Sequence, residues 1–318
     1  MRNRRVVVMG ASGFVGRYAV RDLAKAGAVI SVLGRHAVAA AYLRPMGDVG
    51  QIAAIDCDIR DEKRLRPLIA GADAVVNATG ILFERGRQRF AAIHEEGPAL
   101  LARLAAEAGA RHFVHISALG ADPDSPSLYA CSKAKGEAAV RQAFPGAVIL
   151  RPSLIFGPED QFFNRFAALA RFLPALPLIG GGQTRFQPVY VGDVAAAILA
   201  ALENPATAGR TYDLAGPETY TLKSLFQLIL KETGRRRWLM PVPFGLAAFH
   251  ATLHDLLPLP NPLITRDQVR MLRRDAVAEP GMPGLTELGI APTALELLLP
   301  TYLDRYRRPR DLGIAAQT

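Results

Sequence analysis

Cysteine is nearly missing from this chain: its 318 residues include two, Cys57 and Cys131, and a single tryptophan. Two thiols give no disulfide framework and no metal cluster, so reduced thiols in a cytosolic-type compartment are expected. Long apolar runs are missing as well. No uninterrupted stretch approaches the ~20 residues that a spanning helix needs, so the chain is expected to be soluble or at most peripheral. The first residues, "MRNRRVVVMG", enter a β-strand pattern almost at once, which leaves no room for a signal or transit peptide. Charge is sparse too. With 21% of residues charged and 50% apolar, the composition is that of a globular protein.

The charge that is present leans positive, to a formal net +9. Basic clusters stand at residues 2–5, at 235–237 and in "RYRRPR" (305–310). Such patches are solvated faces, or suit phosphates, anionic lipid or an acidic partner. Nucleic acid is not expected, because no nucleic-acid-binding motif accompanies the charge.

The first 150 residues alternate short apolar strands with helical stretches. Strands are expected at 5–10, 29–34, 52–58, 74–80, 112–117 and 147–153, and helical periodicity covers 17–26 and 97–108. Near-continuous Val/Ile/Ala strands between helices indicate a parallel sheet covered on both faces, the doubly wound α/β pattern. From about Ser153 prolines and aromatics increase and the alternation loosens, while 222–233 reads as an amphipathic helix. The expectation is therefore a dinucleotide-binding domain over 1–152, to which residues of about 185–215 return. A smaller, mainly helical lobe follows over 153–307, and 308–318 form a loose tail.

Directly after the first strand comes "GASGFVG", with Gly10, Gly13 and Gly16 leading into a helix. Glycine permits the tight turn, lets the backbone approach a pyrophosphate and lets helix pack closely on strand. The helix N-terminus offers free N–H groups and the positive end of its dipole to phosphates. The second strand ends in "VLGR", placing Arg35 where an acid would hold the ribose hydroxyls of NAD. A guanidinium there suits the 2′-phosphate of NADP, and Arg17 stands close enough to help. Asp58 and Ile59 end the third strand and either meet the adenine or, for Asp58, cap the helix beginning near Asp61. "NATG" (77–80) ends the fourth strand, with Ala78, Thr79 and Gly80 set to line the ribose side. Tyr129 and Lys133 in "YACSKAKGE" are four apart and share one helix face.

Together these residues resemble the short-chain dehydrogenase/reductase superfamily in its extended or atypical branch, over roughly residues 5–215. In such enzymes the lysine holds the nicotinamide ribose and its charge lowers the pKa of the tyrosine, which moves the proton. The resemblance implies a cofactor contact through Gly10, Ser12, Gly13, Phe14, Val15, Gly16 and Arg17. It extends the cofactor set to Lys133 and, in "LRPSLIFGPED", to Pro152 and Ile155. A serine at the end of the fifth strand completes the catalytic set. Here Ser117 is the candidate, although the family's working position aligns equally with Ala118, one residue on. A one-residue slip at a strand end turns a side chain to the opposite face, so Ser117 is either catalytic or structural.

A narrower likeness lies in "RPSLIFGPEDQFFNRFA", "QPVYVGDVAAAI", "PLITRDQVRML" and "PGLTELGIAPTALE". These stretches resemble the dehydrogenase-like accessory subunits of respiratory complex I, the NADH:ubiquinone oxidoreductase, which hold a tightly bound NADPH. The likeness implies NADPH or NADP in preference to NAD, and peripheral-arm subunits of complex I as partners. The expected lack of a transit peptide and the Ala/Arg-rich composition point to a bacterial relative, cytoplasmic or peripheral on the cytoplasmic face of the inner membrane. The apolar but proline-broken stretch 242–264, behind Arg235–Arg237, fits an anionic membrane surface or another subunit, or else an ordinary lobe helix. His250 and His254 have helical spacing for a metal but no third ligand, so no metal is expected. Two other functions compete. One is a free-standing NADP-dependent oxidoreductase acting on an apolar carbonyl or quinone-related substrate, with Phe156, Phe162, Phe163, Phe186 and Tyr190 lining a pocket. The other is a sugar-nucleotide epimerase or dehydratase.

Overall fold

The computed structural model describes residues 1–256 and 264–307, with the side chains of 253–256 left aside. The expected tail 308–318, the centre of the apolar stretch 242–264 and the His254 side chain lie outside the described residues. The chain divides into two compact units. The first comprises Met1–Pro152, Val191–Leu214 and Ala278–Ala291. The second comprises Ser153–Tyr190, Ala215–Val277 and Pro292–Thr318.

The first unit is built on seven strands: β1 (Arg5–Met9), β2 (Val29–Gly34), β3 (Ile52–Asp56), β4 (Ala74–Asn77), β5 (His112–Ile116), β6 (Val148–Pro152) and β7 (Thr211–Leu214). All pair in parallel, in the spatial order β7-β6-β5-β4-β1-β2-β3. Val6, Val7, Val8 and Met9 are buried in succession, because helices cover both faces of the sheet and neither can be polar. The helices are α1 (Phe14–Lys25), α2 (Glu62–Ile69), α3 (Gly97–Glu107), α4 (Leu128–Ala143) and α5 (Val191–Glu203), with a π-helical turn over Ala91–Glu96 running into α3. Six strands and the helices around 17–26 and 97–108 stand where the apolar periodicity places them. The seventh strand, β7, is a short run whose Asp213 interrupts the apolar pattern.

The order reverses between β1 and β4. From β1 the chain winds outward to β3, then returns to β4 on the other side of β1. The two connections leave in opposite directions and open a crevice at the carboxyl ends of these strands.

The second unit is mainly helical and gathers around aromatic side chains. Phe156, Phe163 and Phe226 are fully buried, and Phe166 lies 4.4 Å from Phe226 between ring centroids. Phe162, Phe186 and Tyr190 pack against the same cluster. The aromatics expected to line a substrate pocket are thus the core that holds this unit together. Helix Leu222–Glu232 contributes Leu222, Leu225, Phe226, Ile229 and Leu230, the i, i+3, i+4, i+7, i+8 stripe of an amphipathic helix.

Asp160 of the "FGPED" turn is the polar centre of this unit. It is 3% exposed and accepts from the backbone N–H of Phe163 at 2.6 Å, Asn164 at 3.2 Å and Gly157 at 3.3 Å, and from the Tyr302 hydroxyl at 2.6 Å. One carboxylate thereby takes the first amides of helix Phe163–Phe172 and ties helix Leu295–Leu303 to it. Asp160→Ala strands these donors in a dry interior. Thermal denaturation of this variant should show a loss of about 3 kcal/mol and a melting temperature several degrees lower.

Candidate functional site

A cleft of about 170 Å³ occupies the crevice of the first unit. Its walls are the strand ends and the loops beyond them: Met9, Gly10, Ser12 and Gly13 after β1, Gly34 and Arg35 after β2, Cys57–Ile59 after β3, and Ala78–Ile81 after β4. Gln88 and Ile93 close it.

The glycine loop is shaped by close approach. Gly10 has φ +85°, and a Cβ on it would stand 2.8 Å from the Ala78 carbonyl and 2.9 Å from Thr79 N. Gly16 lies so near the start of the loop that a Cβ would fall 2.6 Å from the Ala11 Cα. Backbone thus meets backbone at the mouth of α1. No described side chain caps that helix, whose N-cap is Gly13, and its first-turn amides are oriented for an anion. Phe14 and Val15 begin the helix, with Phe14 edge-on to Tyr18 at 6.1 Å. Arg17 lies over the Tyr42 ring at 4.9 Å and bonds back to the Gly13 carbonyl, while the Tyr42 hydroxyl donates to the Ser12 carbonyl at 2.9 Å. Tyr42 therefore braces the loop from outside. The residues present fit a dinucleotide: side-chain-free backbone where a diphosphate would lie, and polar strand ends to either side.

Arg35 is exposed and forms part of the cleft wall. Asp58 faces the same cleft, and its carboxylate is clamped by the Arg60 guanidinium at 2.6 and 2.8 Å. That bond, with a smaller contribution from Arg35, holds Asp58 below the usual carboxylate range. Of its two expected roles, capping α2 falls instead to Asp61, whose side chain accepts from Arg64 N.

Behind the β4 end sits a buried polar layer. Asn77 accepts from Thr79 N and Oγ1 at 3.1 and 2.6 Å and so presents its amide nitrogen to His115 Nδ1 at 3.0 Å. His94, carried on the π-helical turn, accepts the Ile81 N–H at 3.0 Å through Nε2. Its Nδ1 therefore bears the proton and donates to Ser132 Oγ at 2.9 Å, which in turn donates to the Tyr129 carbonyl. Burial pushes His94 down to about 2 and His115 down to about 3, so both imidazoles are neutral.

Helix α4 carries the Tyr129/Lys133 pair. Lys133 is 3% exposed, donates to the Ile116 carbonyl at 3.1 Å, and stands 5.9 Å from the Tyr129 ring centroid. Burial pushes the ammonium down to about 8, against an opposing pull from Glu137. The Tyr129 ring is half-buried, edge-on to Phe90 at 5.9 Å and His94 at 5.4 Å. Loss of water pushes its hydroxyl up to about 12. The resemblance implies the reverse, a phenol acidified by its lysine; in this environment desolvation outweighs the neighbouring charge.

Ser117 follows β5 on the same face as Phe113 and His115. Its hydroxyl donates at 2.5 Å to Glu137, whose carboxylate also takes both arms of Arg151 at 2.7 and 2.8 Å. Ala118, the alternative position, bears no hydroxyl. Pro152 ends β6 in the first unit, and Ile155 belongs to a two-residue strand of the second. Sequence reasoning passed over His94, Gln88 and Glu137. Glu137 was within reach, since continuing the stride from Tyr129 through Lys133 lands on it.

The model of the NAD dependent epimerase/dehydratase family matches residues 6–215. The chain is 38% identical over 308 residues to NADH dehydrogenase (ubiquinone) 1 alpha subcomplex subunit 9, mitochondrial, of Mus musculus, covering 96% of this chain and 81% of that protein. It is 34% identical over 200 residues to a ceramide reductase of Caulobacter vibrioides, covering 63% of this chain and 61% of that one. Among solved structures, the dTDP-glucose 4,6-dehydratase DesIV of Streptomyces venezuelae, with NAD and TYD bound, matches with a TM-score of 0.69 at 22% identity, covering 96% of this chain and 98% of that one. At that identity the likeness speaks for the fold.

The neutral histidines set a pH dependence. Unfolded imidazoles take up protons near pH 6.5, whereas folded His94 and His115 do so only at about 2 and about 3. Below pH 6.5 the unfolded chain therefore binds more protons, and stability falls by about 1.4 kcal/mol per histidine for each pH unit. Denaturant unfolding followed from about pH 7.5 to about 4.5 should show stability falling once the pH drops below about 6.5, and His115→Phe should make that fall shallower.

Proposed function

The chain belongs to the NAD dependent epimerase/dehydratase family, and from that premise we propose that it is an NADP(H)-holding accessory or stabilising subunit associated with a respiratory complex I. The likeness to a complex I subunit, running over 96% of the chain, is the observation that carries this reading. The site supports it. A bound nicotinamide would bring hydride chemistry, while the chain's own residues are arranged to grip. Gly10, Gly13 and the mouth of α1 receive the diphosphate, Asp58 and Ile59 flank the adenine, and Ala78–Gly80 with Lys133 hold the ribose next to the nicotinamide. Arg35 faces the 2′-phosphate and selects NADP(H). Tyr129, with a hydroxyl pushed up to about 12, is poorly poised to exchange a proton near neutrality.

No helix among the described residues is long and apolar enough to cross a membrane. Association with the complex or with an anionic bilayer would run through the second unit. There Trp238 and Met240 alternate outward on one strand, directly after Arg236 and Arg237 in sequence, and Leu246 and Phe249 are exposed on the next helix. A second reading is favoured by one observation, the 34% identity to a ceramide reductase. It makes the chain an NADP-dependent reductase of an apolar, lipid-like carbonyl, with Tyr129 as the proton donor.

Two measurements separate these readings. The tagged chain, purified from native membranes, should carry a stoichiometric, slowly exchanging NADPH together with complex I subunits; a chain that arrives alone and exchanges nucleotide rapidly supports the reductase. Calorimetric titration should show NADPH preferred over NADH, and Arg35→Ala should weaken NADPH roughly tenfold while leaving NADH unchanged. Equal affinities in the unaltered protein would remove the role given to Arg35.

A further inference from the structure

The face of α4 that carries Tyr129 and Lys133 continues one turn further, to Glu137. This residue is 4% exposed, deep enough that a carboxylate needs compensation. Compensation is ample: the Arg151 guanidinium binds both oxygens, and the Ser117 hydroxyl donates to one of them. Beyond Arg151 lies Asp213, its register partner on the neighbouring strand, which accepts the Glu279 N–H at 3.2 Å. A line of alternating charge thus runs from Lys133 through Glu137 and Arg151 to Asp213.

We propose that Glu137 is a positioning residue of the cofactor site: it withdraws the Ser117 hydroxyl and, one turn along α4, sets a carboxylate on the face that carries Lys133, so the site is built to hold a nucleotide rather than to polarise a substrate carbonyl. This rests on the reading of the cleft as a nucleotide site. A serine hydroxyl has one proton to give. Here that proton goes to a buried carboxylate paired with the Arg151 guanidinium, a far stronger acceptor than the neutral carbonyl oxygen of a substrate. The charged groups facing Glu137 are Arg151 from β6 and Lys133 from its own helix, with Asp213 and Glu279 behind Arg151. The titratable groups facing Lys133 from other elements are His94 and His115, both neutral. Glu137 is therefore the charge that offsets the burial of Lys133.

The chain has six lysines, so Lys133 can be followed by NMR of 13C-lysine-labelled protein, its signal assigned as the one lost in Lys133→Met. Glu137→Gln should move the Lys133 titration midpoint down by about one pH unit. If that variant does not fold, Ser117→Ala supplies the second arm. It should melt several degrees lower than the unaltered chain, and any hydride exchange between bound NADPH and an added aldehyde should persist. An unmoved Lys133 midpoint overturns the proposal, as does a Ser117→Ala chain that melts normally yet loses exchange. The titration and melting are done without nucleotide and so fail separately from the nucleotide reading, which falls if the unaltered chain gives no calorimetric heat with NADPH or NADH.

Discussion

The contact between the first glycine loop and the end of β4 is the constraint on which the rest of the site depends. Gly10, at φ +85°, brings the loop against the backbone of Ala78 and Thr79, at a distance no side chain tolerates. That approach is possible only because β1 and β4 are neighbours whose following connections diverge. It leaves a floor of bare peptide groups between the amino end of α1 and the loops after β2, β3 and β4. The bare mouth of α1, the placing of Arg35 and Asp58, and the orientation of the "NATG" loop all follow from one backbone-to-backbone approach.

Behind that floor the protein has spent polar groups on rigidity. His94, His115, Asn77, Ser132 and Thr79 form a neutral, hydrogen-bonded layer whose tautomers are set by backbone donors and by the Asn77 amide. Neutral imidazoles do not repel the Lys133 ammonium, which bonds the Ile116 carbonyl in the same interior. The electrostatics suit a lysine that keeps its proton at neutral pH and loses it more readily than a solvated one. They suit proton traffic through Tyr129 less well, because desolvation raises a phenol that chemistry needs lowered.

The Ser117 hydroxyl shows how a family pattern and a local structure diverge. At the end of β5 the residue type matches a catalytic set, and its face is the one turned toward α4. What it meets there is Glu137, already drawn in by Arg151. The distinction between a hydroxyl offered to substrate and one committed to a carboxylate depends on a residue twenty positions away on another element.

Strand periodicity, the spacing of Gly10, Gly13 and Gly16 and the four-residue stride from Tyr129 to Lys133 were readable from the chain alone. The first reflects burial on both faces of a sheet, the second a steric need for missing side chains, and the third the pitch of a helix, all short-range causes. The aromatic residues Phe156 and Phe163 could not be told apart from pocket walls, because core and pocket both select apolar rings and only packing distinguishes them. The state of Lys133, the neutrality of His94 and His115 and the fate of the Ser117 proton also lay beyond the sequence. Each is set by desolvation and by charges brought together from β5, β6, α4 and the turn before α3, and such neighbours exist only once the chain has folded.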